Sequence, residues 1–374
     1  MNRQVSARSS WIGCGIRIVP AALLAGACPL TAIAQEPQAR LGADVEVHAG
    51  QWAGQDGPTS FLTIDSVSQT RLFGDVTVVA RPLISKQTDG PWRARVIQLA
   101  ARHERPGRIG LRVEGGFLAP VVGLTALEIR ASSNPTIAPA LPYSEYLPPV
   151  ESGAPPIQPY ARTYPLGGQV SLSTARWDAR VAITDSSPLR QRMPFDRDAP
   201  AAAPQVVTGG GITPVMGLRF GGWYARGPWA RASEIRTGPR RGRLATMGGV
   251  EGEISFGWTR IAAEYVHGRL DTAAGRQSVS FAMVEAVQTV SPRWYVAGRL
   301  RTAAGVPRTA TWLTDGSALI ANRPVPRRTT GEITLGHRVS PDVTVRAGYY
   351  AIDGYTTAPV HRAGLSLAWA WRMR

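Results

Sequence analysis

Cysteine, lysine and long apolar runs are what this 374-residue chain has least of. The two cysteines, Cys14 and Cys28, both lie within the first 34 residues. If that segment is removed no thiol remains, which excludes disulfides and cysteine-based metal sites. Beyond the N-terminus there is no apolar run of about eighteen residues, although 44% of the residues are hydrophobic, so helical membrane spans are excluded. Lys86 is the only lysine, so 41 of the 42 basic side chains are arginine. Codon usage in a GC-rich genome would produce that bias by itself; the planar arginine fork also suits phosphate and carboxylate. The five histidines, His48, His103, His267, His337 and His361, show no His-Glu-x-x-His zinc spacing. No Gly-x-Ser-x-Gly nucleophile elbow occurs. Gly209-Gly210-Gly211 lacks the lysine of a phosphate loop and reads as a flexible loop. Glu264 and His267 stand three apart in a strand pattern, hence on opposite faces, and are no catalytic pair. We therefore expect no enzyme, no metal and no cofactor.

The start of the chain reads as a secretory signal. Arg3, Arg8 and Arg17 make it positive, residues 18–30 are apolar, and Ala32-Ile33-Ala34 is a small-x-small cleavage site. Residues 1–34 are expected to be removed, leaving Gln35 first. A lipoprotein signal using Cys28 fits less well, because Leu24 stands one place too far away. Cleavage takes three arginines and no acids, so the formal charge falls from +16 to +13. A basic chain can bind nucleic acid. Export, and the lack of a basic cluster interleaved with aromatics on a helix, leave no nucleic-acid partner expected.

What remains is a strand pattern that continues to the C-terminus. In the last strand, Leu365, Leu367, Trp369 and Trp371 share one face, and Gly364, Ser366, Ala368 and Ala370 the other. A period of two is a strand signal. A soluble sandwich would bury the large face; a transmembrane barrel turns it to lipid and keeps small and polar residues in the lumen. The alternation recurs. Ile109, Leu111 and Val113 oppose Arg108, Gly110, Arg112 and Glu114. Trp177, Val181 and Ile183 oppose Asp178, Arg180 and Thr184. Ile261, Ala263 and Tyr265 oppose Arg260 and Glu264. Trp294, Val296 and Leu300 oppose Tyr295, Arg299 and Arg301, and Val343, Val345, Ala347 and Tyr349 oppose Thr344, Arg346 and Gly348. A charge on the lipid face costs about 2–4 kcal/mol at the midplane, so these charged faces look into the lumen if the strands span. A soluble β-protein would need a second layer over each apolar face.

Two kinds of connection separate the strands. Asp89-Gly90-Pro91, Gly227-Pro228, Ser291-Pro292 and Ser340-Pro341-Asp342 have turn chemistry. Segments 51–70, 132–166, 185–213 and 304–328 read as long loops. Alternating direction from a first strand at 41–49 gives about sixteen strands, among them 121–131, 214–226 and 229–237. One hairpin more or fewer would give eighteen or fourteen. Every short turn then falls on one side with both termini, and every long loop on the other. The expected fold is all-β: a single closed antiparallel transmembrane barrel over 35–374, with short periplasmic turns and long external loops. Trp92, Trp177, Trp229, Trp258 and Trp294 all open strands in this scheme. With Trp369 and Trp371 they read as one aromatic girdle.

Phe117-Leu118-Ala119-Pro120, Ser132-Ser133-Asn134-Pro135-Thr136-Ile137 and Tyr164-Pro165-Leu166-Gly167-Gly168-Gln169 are similar to the region around the constriction loop of proteobacterial porin-like barrels. The terminal Leu365-Ser366-Leu367-Ala368-Trp369-Ala370-Trp371 is similar to the strand such proteins present to the barrel-assembly machinery. On these residues the chain resembles a bacterial outer-membrane porin. It departs from that pattern in ending Arg372-Met373-Arg374, and in a third loop whose acids are Glu145 and Glu151, without a Pro-Glu-Phe-Gly-Gly motif. The resemblance implies the bacterial outer membrane, with its lipid and lipopolysaccharide as surroundings, the assembly machinery as a partner during insertion, and a homotrimer as a candidate assembly. It also implies passive diffusion of small hydrophilic solutes, with loop 132–166 folded against the lumen wall. The expected pore lining is Arg112, Glu114, Asp178, Arg180, Arg219, Arg260, Glu264, Arg299, Arg301 and Arg346. Its arginines would give mild anion preference, opposed by Glu114, Asp178, Glu251, Glu253, Glu264 and Glu332. The alternative is a closed barrel with a structural or surface-interaction role.

Overall fold

The structure, a computed structural model, describes residues 41–373 except 55–56, 89, 119–121, 124–129, 139–163, 186–203, 231, 233–241, 273–274, 306–308, 313–317, 322–327 and 354–358. Residues 1–34, read above as a signal, lie outside the described residues. In chain order the strands are β1 (Leu41–Gly54), β2 (Thr59–Phe73), β3 (Val76–Gln87), β4 (Arg93–Arg105), β5 (Gly110–Phe117), β6 (Leu166–Ser173), β7 (Trp177–Thr184), β8 (Gln205–Val215) and β9 (Leu218–Ala230). They continue as β10 (Arg243–Phe256), β11 (Thr259–Thr272), β12 (Gly275–Thr289), β13 (Trp294–Gly305), β14 (Thr309–Trp312), β15 (Ala318–Ala321), β16 (Arg328–Arg338), β17 (Val343–Asp353) and β18 (Val360–Met373). Each strand pairs antiparallel with its sequence neighbour, except that β13 pairs with β16 and the β14–β15 hairpin stands apart. The last strand closes the circle on the first, with Val47 opposite Trp369 and Val45 opposite Trp371. The result is a closed barrel of sixteen strands, as expected.

The faces sort as a two-residue period requires. Leu365, Leu367, Trp369 and Trp371 are exposed outside, whereas Ser366 and Ala368 are buried inside. Ile333, Leu335, Val345 and Tyr349 continue the apolar outer face beside them. Such an area turned to water would cost about 25 cal/mol for each Å²; turned to hydrocarbon it costs nothing. On the side carrying both described ends, every connection is short: 74–75, 106–109, 174–176, 216–217, 257–258, 290–293 and 339–342. Gly217 (φ 83) and Gly257 (φ 54) turn two of them in the left-handed region that favours glycine. We call this the turn side. The loop side carries 118–165, 185–204, 231–242 and 306–327.

Several expected boundaries were wrong, and two pairs of errors cancelled in the count. Segment 51–70, expected as a loop, contains most of β2, and 185–213 contains most of β8. In β2 the outer face carries Ser60, Ser66 and Ser68 and the inner face Phe61 and Val67, so the alternation is blurred. In β8 the glycines read as loop stand opposite Arg180, Asp178 and Ala179 within a regular ladder. Conversely 121–131 is not a strand at its described residues 122–123 and 130–131. Of its described residues, Val122 is buried inside the barrel, 1% exposed. The expected separate strand at 229–237 is corrected at its start: Trp229 and Ala230 are the last residues of β9, and 231 and 233–237 lie outside the described residues. Gly227-Pro228 lies inside β9, and the extra residue, Trp229, forms a bulge against Arg243 and Leu244. Finally 88–92, containing Gly90-Pro91, connects strands on the loop side, as does the two-residue 273–274.

Candidate functional site

Pairing register places every expected lining residue on the inner face. Arg102, Glu114 and Gln169 lie side by side on β4, β5 and β6. Ser171 and Arg180 adjoin on β6 and β7, and Asp178 faces Gly211 on β8. Across β10 to β16 the same row reads Glu253, Ala262, Glu285, Arg299 and Glu332. Glu264, by contrast with its neighbour three places on, is buried inside, while His267 is on the outside with Nδ1 3.0 Å from the Ser280 hydroxyl.

The register also decides which charges meet. Arg219 on β9 donates to Asp178 Oδ2 at 2.8 Å on one side and to Glu251 Oε1 at 2.6 Å on the other. Its guanidinium lies over Gly211, where a Cβ would stand 2.6 Å from Nη2. The glycine run of β8 is therefore a flat seat for arginine, which needs no side chain of its own. Arg260 bridges Glu253 at 3.1 Å and Glu285 at 3.2 Å. Arg112 holds Glu104 at 2.7 Å, with both about half exposed. Arg81 makes a two-pronged pair with Asp65, at 2.8 and 2.5 Å, both partners buried. Arg180 differs: among the described residues it has no acidic partner, and it lies beside Gly209 with a Cβ there 3.1 Å from Nε.

Part of the third loop lies within the barrel. Arg130 pairs with Glu46 at 2.8 Å, and the Ser132 amide and hydroxyl donate to the same carboxylate at 3.0 and 2.5 Å. The amides of Ile137 and Ala138 donate to Glu332 Oε1 at 2.7 and 3.2 Å. Arg299 donates to Asn134 Oδ1 at 2.8 Å, to the Ala138 carbonyl at 3.3 Å, and to Glu285. Arg346 donates to the Ala131 carbonyl at 2.7 Å and to the Tyr295 hydroxyl at 3.0 Å. Ile137 is seated over Gly348, where a Cβ would come within 2.9 Å of its Cδ1. Segment 130–138 is thus clamped to β1, β13, β16 and β17, and it buries Arg299 and Arg346 to 2% exposure. Arg301 is equally buried, donating to Thr330 Oγ1 at 2.9 Å with its guanidinium 5.5 Å from the Tyr350 ring. These three arginines are part of a packed wall, not a solvated lining.

The other end of the same loop touches a different wall. Leu118 and Val122 join Trp223, Ala225, Met247, Val266 and Phe281 in one apolar cluster on the inner face of β9–β12. Gly123, with φ +76, sits against the Glu264 carboxylate. Where the loop returns, Tyr164 packs with Ile97 and Leu83.

The aromatic residues divide. Trp177, Trp258, Trp294, Trp369 and Trp371 are exposed at the turn side of the outer face, and the Trp294 ring lies tilted against His337 with centroids 4.2 Å apart. Trp92 is exposed but belongs to the opposite, loop side. Trp229 is 1% exposed and points inward, its Nε1 donating to the Asp271 carbonyl at 3.1 Å. The single girdle of seven is corrected accordingly. Sequence reasoning missed Asp65, Arg81, Glu46, Glu285 and Asn134 as interior groups. The first two lie in strands whose alternation is blurred, and Asn134 reaches the wall only through the path of its loop. Among the described residues no group of three or more His, Cys, Asp or Glu could hold a metal ion.

No family model matches the sequence, and no curated protein matches it. Solved structures share the fold. An anion-selective porin from Comamonas acidovorans aligns with a TM-score of 0.54 and 8% identity, over 89% of this chain and 99% of that one. The trimer form of OmpT, an outer membrane protein from Vibrio cholerae, gives 0.54 and 12%, over 89% and 99%. Salmonella typhi OmpF in complex with daunomycin gives 0.54 and 9%, over 89% and 97%. At these identities the likeness is one of fold.

Proposed function

We propose that this porin-like β-barrel of the outer-membrane type is a narrow diffusion channel for small hydrophilic solutes, with mild preference for anions. The observation that carries the reading is the clamped segment 130–138. A loop held across the inner wall by at least four charged side chains narrows a lumen without removing its polar lining. The turn-side mouth keeps solvated charges of both signs: Arg112, Glu104, Asp178, Arg219, Arg260 and Glu253. Each of those arginines faces an acid, so their fields largely cancel at the mouth. Arg180 has no acidic partner among the described residues, and its charge is the one on which the anion preference rests. Fixed positive charge favours anions by replacing part of their hydration. Catalysis plays no part in this reading.

Planar-bilayer recording of the purified barrel tests it. We expect discrete conductance steps and a reversal potential of anionic sign in a salt gradient. Arg180→Ala should move that potential toward zero, whereas Arg301→Ala should change stability more than selectivity. Cation preference, or an unmoved potential in the Arg180 variant, would sink the anion claim.

A closed barrel with a surface role is favoured by one observation. The mid-level inner residues Glu46, Asp65, Arg81, Glu114, Glu264, Glu285, Arg299 and Arg346 are all 6% exposed or less. No conductance from correctly folded protein would establish that second reading over the first. In either case the exposed apolar outer face supports membrane insertion, and a bacterial outer membrane is part of the proposal. Lipid contact, a homotrimer and delivery by the assembly machinery are part of the proposal.

A further inference from the structure

The outer face of β9–β12 turns polar toward its loop-side end, and one row of it is basic. Arg226 on β9 stands opposite Thr246 on β10. Thr246 stands opposite Arg269 on β11, and Arg269 opposite Ser278 on β12. All four lie on the outward face, and both arginines and Ser278 are exposed. Two strand spacings of about 4.8 Å put the arginine Cα atoms roughly 10 Å apart. Among the described residues neither arginine has an acidic partner; the nearest outward acid, Asp271, is taken by Arg276 at 3.4 Å. Directly beneath them Tyr224 is exposed, and His267 is hydrogen-bonded to Ser280.

The height of this row is what gives it meaning. Eleven residues separate Arg269 from Trp258, which is exposed at the turn-side rim. A rise of about 3.3 Å per residue on a strand tilted by about 40° makes that roughly 28 Å, against an apolar band about 25 Å tall. The two arginines therefore stand at the far edge of the band, in the headgroup layer on the loop side. An outward charge at mid-bilayer would be costly, but at this edge it costs about 0–1 kcal/mol and a long side chain can reach the interface. Two unneutralised guanidiniums with the Thr246 hydroxyl between them and the Ser278 hydroxyl beside Arg269 match phosphate oxygens, which accept paired, charge-assisted hydrogen bonds from arginine.

We infer that Arg226, Thr246, Arg269 and Ser278 form a lipid-facing binding site for a phosphorylated glycolipid headgroup of the leaflet on the loop side. The inference rests on the membrane-spanning reading above. Acyl chains would run down the outer face past Tyr224, Val250 and Phe220, all exposed.

The test uses the detergent-purified full chain, first checked for heat-modifiable migration. Mixed micelles then present lipid A with both phosphates, or lipid A stripped of phosphate. We expect at least tenfold tighter binding of the phosphorylated form. Arg226→Gln with Arg269→Gln should reduce that preference to twofold or less and leave migration unchanged. Lys86→Gln, on the outer face of β3 at the same end, should keep it. Millimolar inorganic phosphate should not compete. Equal binding of the two lipids by the parent protein, an unchanged preference in the double variant, or competition by inorganic phosphate would each overturn the site. A parent protein without heat-modifiable migration would overturn the barrel reading itself, and the site with it.

Discussion

One loop meets two walls of the same barrel in two ways. On β1, β13, β16 and β17, segment 130–138 is held by hydrogen bonds and ion pairs to Glu46, Arg299, Glu332 and Arg346. On β9–β12, Leu118 and Val122 are held by apolar contact with Trp223, Met247, Val266 and Phe281. Hydrophobic contact is non-directional and scales with buried area, so the second wall fixes that the loop is inside more than where each atom lies. Hydrogen bonds to charged groups are directional and costly to leave unmade, so the first wall fixes position. A pore narrowed by a loop needs both, a dry attachment and an oriented one.

The comparison can be broken hardest at Glu285. Its pair with Arg299 is almost fully buried, at 0% and 1% side-chain exposure. Glu285→Ala leaves a buried cation and should lower stability by about 3–5 kcal/mol, read from the urea midpoint of the detergent-folded barrel. Glu285→Ala combined with Arg299→Met should be less destabilised than the single change, because no charge is stranded. On the dry wall, Met247→Ala should cost about 2–5 kcal/mol in the same assay. It should leave the reversal potential unmoved, since no charge is touched, and disturb conductance less than Glu332→Ala.

A smaller change sharpens the contrast. Glu332→Ala strands the Ile137 and Ala138 amides and should cost about 1–3 kcal/mol. Its larger mark should be functional: a higher, noisier single-channel conductance as 130–138 comes loose from the wall. A steady conductance equal to the parent's would mean that this carboxylate does not position the loop. At the bottom of the scale, Arg71→Ala removes an exposed pair with Asp75, 3.6 Å apart and 53% and 62% exposed. It should shift the midpoint by no more than about 0.5 kcal/mol.

Much of this was readable in the order of residues, and the failures have physical causes. β5, β7, β11, β13, β17 and β18 alternate large apolar with small or charged residues, and their faces were assigned correctly. A slip of one residue would turn every side chain to the wrong face, so this signal is strong where one face meets lipid. It weakened in β2, whose outer face is rich in serine, and vanished in β8, whose glycines make room for Arg180 and Arg219. It misled at 121–131, whose described Val122 packs inside the barrel: a residue buried there is apolar for the same reason a wall facing lipid is. The turn chemistry of Gly227-Pro228 was real, but a bulge absorbed it within a strand.

The sequence by itself determined the architecture in outline: a closed antiparallel barrel, outward apolar faces, inward arginines and a long third loop, with the count of sixteen reached through two missed strands and two false ones. Those features depend on local alternation and connection length, which neighbouring residues carry. Only the tertiary structure decided which arginines are neutralised and which are walled in. Arg299 meets Asn134 across 165 positions, and Arg346 meets Ala131 across 215. Such contacts exist only after the last strand has closed on the first and the loop has folded into the space enclosed. No local pattern encodes them, because the distance between those side chains is set by the register of every strand between.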